Sequence, residues 1–282
     1  MTPTASSPIE TPSGKDAAYE NFPVGSFLLP ARLRPHIAAF YAFARAIDDI
    51  ADSPDLTAEE KIRRLDGCAA ALEGETADSA YAKALRMRAS MVATGVPVRH
   101  GLDLIAAFKR DAVQLRYRDW DDLMGYCMLS AAPVGRYLLD LHGGSRDGYG
   151  PSDALCLALQ VINHLQDCQD DYRTLDRVYL PGDWLAAEGA TVEELNASRC
   201  SPALRRVIDR ALDATEKLMI EARRLPSGLA SRRLALESSV IVVVADALIA
   251  KLRREDPLAG RVRLNKIAFL WCGLKGALMA LR

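Results

Sequence analysis

Two stretches, YAFARAIDDIAD at residues 41–52 and ALQVINHLQDCQDDY at residues 158–172, repeat apolar residues at the spacing of a helix. Alternation with a period of two is rare elsewhere, and aromatic residues make up only 6% of the chain. Ala, Leu, Arg and Glu, which favour helices, fill most windows. We therefore expect an all-α fold: a disordered leader at residues 1–17, then a single-domain helical bundle with a central cavity at residues 18–282.

The first stretch places its polar residues on one side of a helix. At 100° per residue, Tyr41, Arg45, Asp48 and Asp52 fall within roughly 60° of one another, whereas Asp49 lies off that stripe. Two carboxylates four residues apart repel each other on a helix. A buried pair of this kind needs a compensating cation.

The second stretch repeats this arrangement. Gln160, Asn163, Asp167 and Asp171 share one stripe, and Asp170 lies out of phase with it. A single D-x-x-x-D pair on a helix is usually a solvated face, but two pairs in matching register within apolar helices disfavour that interpretation. We expect the two stripes to face each other across the core of the bundle.

Carboxylate and amide oxygens are hard ligands that suit Mg²⁺, which usually completes its octahedron with phosphate oxygens of the substrate. Two acidic pairs therefore predict a diphosphate between them. Arg45 and the downstream Arg177 are placed to neutralise the rest of its charge. The chemistry that this pattern indicates is departure of pyrophosphate to leave a carbocation.

Composition excludes other classes of function. The 36 basic and 37 acidic side chains give a net charge of -1, which provides no field for binding nucleic acid. The six cysteines form no C-x-x-C pair, so we expect reduced thiols and no zinc site. The first residues carry no basic segment followed by an apolar one, so no signal peptide is expected. These features favour a cytoplasmic protein.

Two apolar segments are too short or too interrupted to span a membrane: residues 240–250, broken by Asp246, and residues 268–281, broken by Lys275. We expect both to be buried core helices. Contact with the membrane interface, on the inner face of a membrane, is the alternative.

Three stretches resemble the squalene/phytoene synthase family: Y-A-F-A-R-A-I-D-D-I-A-D at 41–52, Q-V-I-N-H-L-Q-D-C-Q-D-D-Y-R-T-L-D-R-V-Y-L-P at 160–181, and Y-C-M-L-S-A-A-P-V-G at 126–135. The resemblance implies an isoprenoid-synthase-type bundle and a Mg²⁺-dependent reaction. It implies metal ligation by Asp48, Asp52, Asn163, Asp167 and Asp171. It implies substrate-binding or catalytic roles for Asn21, Phe22, Tyr41, Arg45, Tyr126, Gln160, Asn163 and Arg177.

The chain departs from the family pattern at several positions. Asn21 replaces a Ser, Gln166 replaces an Arg, and a Tyr expected near Ala245 is missing. The spelling N-F-P-V-G-S-F-L-L-P-A-R-L-R-P-H and the I-N-H-L-Q-D sequence are similar to a bacterial, hopanoid-pathway branch of the family. That resemblance implies that presqualene diphosphate loses pyrophosphate and that water captures the cation as hydroxysqualene. It also implies no need for NADPH and handover of the product to a downstream enzyme.

Three alternatives stay open. The first is head-to-head condensation of two prenyl diphosphates to presqualene diphosphate, squalene or phytoene. The second is a non-catalytic assembly factor or lipid-binding protein, although such a protein would be expected to lack some of the acidic ligands. The third is a terpene cyclase or linear prenyltransferase, whose acidic motifs do not resemble the Q-x-x-N-x-x-x-D-x-x-x-D spacing found here.

Overall fold

The computed structural model describes residues 29–145 and 147–280. Within these ranges the regular structure is helical and no strand forms, apart from two isolated bridges, so the all-α prediction is confirmed. The leader and the predicted site residues Asn21 and Phe22 lie outside the described residues. The chain divides into two compact units, Met1–Val113 and Gln114–Arg282, which are described separately below.

The described part of the first unit is a group of helices built around its first one. α1 packs against the three that follow it, which are α2, α3 and α4. Their bounds are Arg34–Asp52, Ala58–Glu73, Ala82–Thr94 and Arg99–Asp111. α1 ends where the Ser53-Pro54 pair predicts a break, because a residue before proline is disfavoured in helical conformation. Thr57 then caps α2 by accepting a hydrogen bond from the backbone N–H of Glu60 at 3.3 Å, a role for which threonine is favoured at the start of a helix.

The second unit is organised around one long helix. The bounds of α5 to α12 are Trp120–Ser130, Ala132–Leu141, Gly150–Leu175, Gly182–Glu188, Pro202–Ala222, Leu225–Gly228, Arg232–Leu252 and Lys266–Ala280. The long helix α7 packs against α5, α6, α9 and α11, while α12 packs on α11. Both the second acidic motif and the third family-like stretch therefore belong to one packed group of helices.

Two sequence patterns typical of a helix start, Ser201-Pro202 and Thr191 with Glu194, differ in the structure that follows them. Ser201 caps α9 by accepting from the N–H of Leu204 at 3.0 Å, with Pro202 in the first turn. The capping box of Thr191 and Glu194 is present, but it begins a short 3₁₀ turn and not an α-helix. The Gly-Tyr-Gly-Pro-Ser stretch at residues 148–152 is typical of a chain break, but α7 already begins within it, at Gly150, with a proline in its first turn.

Gly135 brings α6 close to α7. A Cβ atom at this position would lie 2.3 Å from Oγ of Ser152 and 2.6 Å from Sγ of Cys156. A larger residue would force the Ser152 hydroxyl and the Cys156 thiol to move, so glycine permits the close approach of the two helices. The Pro-Val-Gly sequence lies in α6 and allows this helix to pack closely on α7. Because α5, which carries Tyr126, directly precedes α6, this packing also positions α5 against the long helix.

The two apolar segments near the end of the chain differ in burial. Residues 240–250 lie in α11 and are largely buried, which confirms the prediction of a core helix. The prediction for residues 268–281 is wrong, because α12 buries only Cys272 and Gly276 and exposes most of its large side chains. The physical reason is close packing through small residues: a Cβ at Gly276 would lie 2.6 Å from the Cα of Val240.

All six cysteines are free thiols, as expected. No helix among residues 29–145 and 147–280 has the length and apolar character that crossing a bilayer requires.

Candidate active site

The acidic motif of α1 presents a partly open stripe on a helix that is otherwise well packed. Tyr41, Arg45, Asp48 and Asp52 are all of intermediate burial, whereas Asp49 is 5% exposed. The carboxylate pair is only partly buried, and the side chain of Asp48 is 29% exposed. An open stripe admits a ligand from solvent, which a fully buried pair could not do.

An arginine already neutralises the first carboxylate of this motif. Nη1 of Arg45 donates to Oδ2 of Asp48 at 2.7 Å, one turn along the same helix. One turn before Arg45, the hydroxyl of Tyr41 is buried and has no hydrogen-bond partner among the described residues. A buried hydroxyl without a partner is costly, so this atom is available to a ligand that would complete its hydrogen bonding.

The second motif forms a corresponding stripe on α7. Gln160, Asp167 and Asp171 are of intermediate burial and Asn163 is exposed, while the opposite side of the helix is buried against its neighbours. Asp170, which the sequence places off the stripe, is exposed. The phase of the motif thus separates a packed face from an accessible polar face.

Asp167 is held by an arginine that the sequence does not reveal. Nε of Arg261 lies 2.8 Å from Oδ1 of Asp167, and its Nη2 donates to Oδ2 at 2.9 Å. The neighbouring Gln166, which is 3% exposed, donates its side-chain amide to the carbonyl of Val262. Two adjacent residues of α7 therefore fix two adjacent residues of the segment before α12, and this segment brings Arg261 into the site.

The chain after α7 is positioned by a turn and a short pairing with the segment before α5. α7 ends at Leu175 and is capped by Asp176, whose φ of 52° is left-handed and whose carboxylate pairs with Arg116 at 2.6 Å. The N–H of Val178 then donates to the carbonyl of Leu115 at 2.9 Å. Arg177, which is 7% exposed, lies beside the preceding motif: its backbone N–H donates to the carbonyl of Asp171 at 3.2 Å, and its charge acts on His164.

An aromatic cluster forms next to these residues, and we call it the tyrosine cluster: Tyr117, Tyr126, Tyr179 and His164. The ring of Tyr126 lies 5.3 Å from that of Tyr117 and 5.7 Å from that of Tyr179. The imidazole of His164 stacks on Tyr179 at 3.6 Å with an angle of 12° between planes. Such rings offer negative faces on which a positive charge is stabilised.

His164 is kept neutral by its surroundings. Burial in the core and then the charge of Arg177 lower the pKa of His164 from 6.5 to about 3. The side-chain amide of Gln160, one turn earlier, donates toward Nε2 of the imidazole across 3.2 Å. The neutral ring thereby orients Gln160 and adds no positive charge of its own to the site.

The donor set of the two motifs fits a divalent cation such as Mg²⁺. All predicted ligands supply oxygen, and the first carboxylate of each motif already attracts an arginine, which shows that a positive partner is favourable there. In the part of the chain that the structure describes, no three His, Cys, Asp or Glu side chains are arranged to hold a metal ion by themselves. Each carboxylate pair would thus share its ion with oxygens of a substrate.

The structure brings together only some of the residues predicted from sequence. Gln160, Asn163, Asp167 and Asp171 share a face of α7, and the Tyr126 ring lies 6.2 Å from His164 on that helix. Tyr41, Arg45, Asp48 and Asp52 share the other stripe, in the first unit. The meeting of the two stripes stays a prediction.

Four residues of the site were missed from sequence: Tyr117, His164, Tyr179 and Arg261. A signal existed for His164, because it lies four residues after Gln160 and hence on the same stripe. Tyr179 lies within the R-x-Y-L-P segment but carried no distinguishing pattern. Nothing local pointed to Tyr117 or Arg261.

Comparisons with known proteins identify the class. The sequence profile of the family described as Squalene/phytoene synthase matches residues 16–268. A hydroxysqualene synthase of Rhodopseudomonas palustris is 46% identical over 93% of this chain and 89% of that protein. A hydroxysqualene synthase of Zymomonas mobilis is 42% identical over 90% of this chain and 86% of that protein.

A solved structure agrees with these sequence relatives. The crystal structure of squalene synthase HpnC from Alicyclobacillus acidocaldarius superposes with a TM-score of 0.72 at 36% identity, covering 84% of this chain and 89% of that chain. This chain belongs to the squalene/phytoene synthase family. The family acts on prenyl diphosphates, so the prediction of a prenyl-diphosphate enzyme is confirmed.

Proposed function

We propose that this chain is a hydroxysqualene synthase, which converts presqualene diphosphate and water to hydroxysqualene and pyrophosphate. The observation that carries the proposal is the similarity to three proteins of that name, at 46%, 42% and 42% identity over at least 90% of the chain. The acidic stripes and the tyrosine cluster supply the groups that such a reaction needs. The proposal extends to a cytoplasmic location and to handover of the product to a downstream enzyme.

The carboxylates of Asp48 and Asp52 in one unit, and of Asp167 and Asp171 in the other, would hold Mg²⁺ together with the amide oxygen of Asn163. When bound, Mg²⁺ would neutralise the diphosphate and make it a better leaving group. The side-chain exposure of Asp48 and Asp167, 29% and 16%, supports access to these oxygens.

Three arginines would share the charge of the diphosphate. Arg45 and Arg261 each contact the first aspartate of a motif, and the nearly buried Arg177 lies beside the second motif. A guanidinium donates to phosphate oxygens as well as to carboxylates, often through two parallel hydrogen bonds. The arginines would thus hold the substrate head group and then the released pyrophosphate.

The step itself balances without an oxidant or reductant. The C–O bond to the diphosphate breaks and its electron pair leaves with pyrophosphate; the cyclopropylcarbinyl cation rearranges, and a water oxygen then bonds to carbon. The proton lost by that water goes to pyrophosphate or to solvent. Tyr41 and the tyrosine cluster would present ring faces to the cation, and neutral His164 would add no repulsive charge.

No hydride takes part in the proposed reaction, so NADPH is not required.

The test of the proposed function is to incubate the purified chain with Mg²⁺ and either farnesyl diphosphate or presqualene diphosphate, with and without NADPH. We expect turnover of presqualene diphosphate alone, to the same product in both cases. Efficient consumption of farnesyl diphosphate, or a product that changes to squalene with NADPH, would contradict the proposal.

The alternative function is head-to-head condensation of two prenyl diphosphates. Its support is a weaker likeness to a 15-cis-phytoene synthase of Paracoccus, which is 32% identical over 91% of the chain. Condensation would join two molecules of farnesyl diphosphate to presqualene diphosphate. Accumulation of presqualene diphosphate from farnesyl diphosphate would therefore favour this alternative function.

A further inference from the structure

We propose that the outer face of α12 is a docking surface for the anionic surface of a lipid bilayer. We call this face the α12 stripe and define it as Ile267, Leu270, Trp271, Leu274 and Leu278. At 100° per residue these side chains fall within about 100° of one another along the helix. They are between 51% and 74% exposed.

On α12 the small side chains face the protein and the large apolar side chains face outward, which is the reverse of an ordinary amphipathic helix. Small residues form its packed side, where Cys272 and Gly276 are buried and Gly276 lies against the backbone of Val240. The large apolar side chains point away from the protein. A helix that served only to cover the core would do the opposite, because burying large apolar side chains is what stabilises packing.

Exposed apolar side chains are concentrated on this one element. Of the strongly exposed large hydrophobic residues in the described parts of the chain, seven lie on α12, whereas Val92, Val113, Tyr149 and Ile220 lie singly elsewhere. Single exposed apolar residues are ordinary on a protein surface. A continuous apolar patch marks a surface that contacts a partner or a membrane.

Charge decides which occupant the surface fits. From Pro257 to the last residue the chain has five basic and no acidic residues, although its overall net charge is -1. Arg263, Lys266 and Lys275 are exposed. Among residues 29–145 and 147–280, no carboxylate forms an ion pair with these three side chains. An apolar stripe flanked by basic residues matches the interface of an anionic membrane.

A groove beside the helix has the same character. It has a volume of about 270 Å³ and lies between α11 and α12, where Ala247, Ala250 and Ala268 line it together with Lys251 and Arg254. Lys251 is paired with Glu255, so Arg254 is the cationic side chain in this lining that a lipid headgroup could approach. Because α11 covers one side of α12 and the α12 stripe is exposed among the described residues, the helix would lie along the membrane surface.

This surface goes beyond the proposed reaction and is tested without substrate. The full chain is sedimented with vesicles of phosphatidylcholine alone and of phosphatidylcholine mixed with phosphatidylglycerol. We expect binding to the anionic vesicles, weakened by added salt. If the chain bound neither the neutral nor the anionic vesicles, the proposal would be overturned.

Matched variants distinguish binding through the α12 stripe from non-specific adsorption through other exposed apolar residues. Ile267 and Ile220 are 69% and 68% exposed, and Leu270 and Val92 are 74% and 66% exposed. The double variant Ile267→Ser with Leu270→Ser is expected to lose vesicle binding at least tenfold, whereas Ile220→Ser with Val92→Ser keeps it. Equal binding by both double variants would overturn the proposal.

Two further readouts guard against a misfolded variant and against self-association. The emission of wild-type protein should shift to shorter wavelength on anionic vesicles, and Trp271→Phe should abolish the shift while binding persists. Charge reversal by Lys266→Glu with Lys275→Glu should weaken binding several-fold. One outcome would refute the membrane proposal and assign the α12 stripe to contact with a second copy of the chain. In that outcome the wild-type protein forms a dimer and does not bind vesicles, and the Ile267→Ser, Leu270→Ser variant is a monomer.

Discussion

Arg261 contacts both carboxylate oxygens of Asp167, with Nε 2.8 Å from Oδ1 and Nη2 2.9 Å from Oδ2. The two residues are 94 positions apart in sequence. The guanidinium therefore provides a positive charge at the carboxylate that is proposed to bind metal. Arg45 provides another at Asp48, so each motif carries an internal cation.

An internal cation competes with a metal ion for the same carboxylate. Arg261→Met should therefore strengthen binding of Mn²⁺ to the substrate-free protein, by about tenfold or about 1.4 kcal/mol, as expected for a partly buried charge pair. Electron paramagnetic resonance of Mn²⁺ measures this affinity. Arg173→Met is the control, because Arg173 donates to the carbonyl of Asn196 at 2.7 Å. Unchanged Mn²⁺ affinity in Arg261→Met would refute the competition.

The phase of the second motif predicts which aspartates matter. Asp167→Asn keeps the shape of the side chain but removes its charge, and it should lower kcat by at least about 100-fold, since metal-assisted departure of pyrophosphate is worth several kcal/mol. Asp170→Asn, three residues away on the exposed side of the same helix, should stay within about twofold of wild type. A comparable loss in both variants would mean that the stripe is not the functional face.

The ring of Tyr126 is expected to act through its face. Tyr126→Phe keeps the aromatic ring and should retain most of kcat, whereas Tyr126→Leu should lose about 30-fold, equivalent to a cation–π contribution of about 2 kcal/mol. Single-turnover kinetics with presqualene diphosphate measures the step directly. An equal loss in both variants would instead assign the effect to the hydroxyl group.

Glu237 is a buried carboxyl in the apolar helix α11, and it makes stability depend on pH. Burial raises the pKa of Glu237 from 4.5 to about 7, and its Oε2 has no hydrogen-bond partner among the described residues. Between pH 4.5 and about pH 7, Glu237 keeps its proton in the folded chain but has lost it in the unfolded chain. The contribution of this carboxyl group to the free energy of unfolding is therefore full below pH 4.5 and is lost as the pH rises through about 7.

The Glu237→Gln variant removes this dependence. Relative to wild type, its free energy of unfolding should increase by about 2 to 3 kcal/mol between about pH 5 and pH 8. Denaturant titrations across that range provide the measurement. Ser238→Ala, at the adjacent buried position, carries no titrating group and should follow the wild-type pH profile. A Glu237→Gln curve parallel to wild type would show that the carboxyl is not protonated in the folded state.

The parts of the fold that local chemistry determines could be predicted from sequence. Thr57 and Ser201 cap helices through contacts three residues away, and the stripe on α7 follows from helical spacing alone. The degree of burial of the acidic stripe could not be predicted, because the spacing of Asp48 and Asp52 does not reveal how open their face is.

Long-range contacts explain what the sequence could not provide. Arg261 reaches Asp167 from a distant segment that Gln166 anchors through the carbonyl of Val262, and the rings of Tyr117 and Tyr126 meet through tertiary packing. The position of α12 was missed for another reason. An apolar segment predicts burial, but whether large or small side chains face the core depends on the neighbouring helix.

The most direct test of the proposed reaction is to run it with presqualene diphosphate and Mg²⁺ in water enriched in ¹⁸O, and to analyse the alcohol by mass spectrometry. Ionisation followed by capture of the cation predicts hydroxysqualene that carries ¹⁸O, with unlabelled oxygen retained in pyrophosphate at the former C–O bond. An unlabelled alcohol with the carbon skeleton of the substrate, formed by cleavage of the P–O bond, would contradict it.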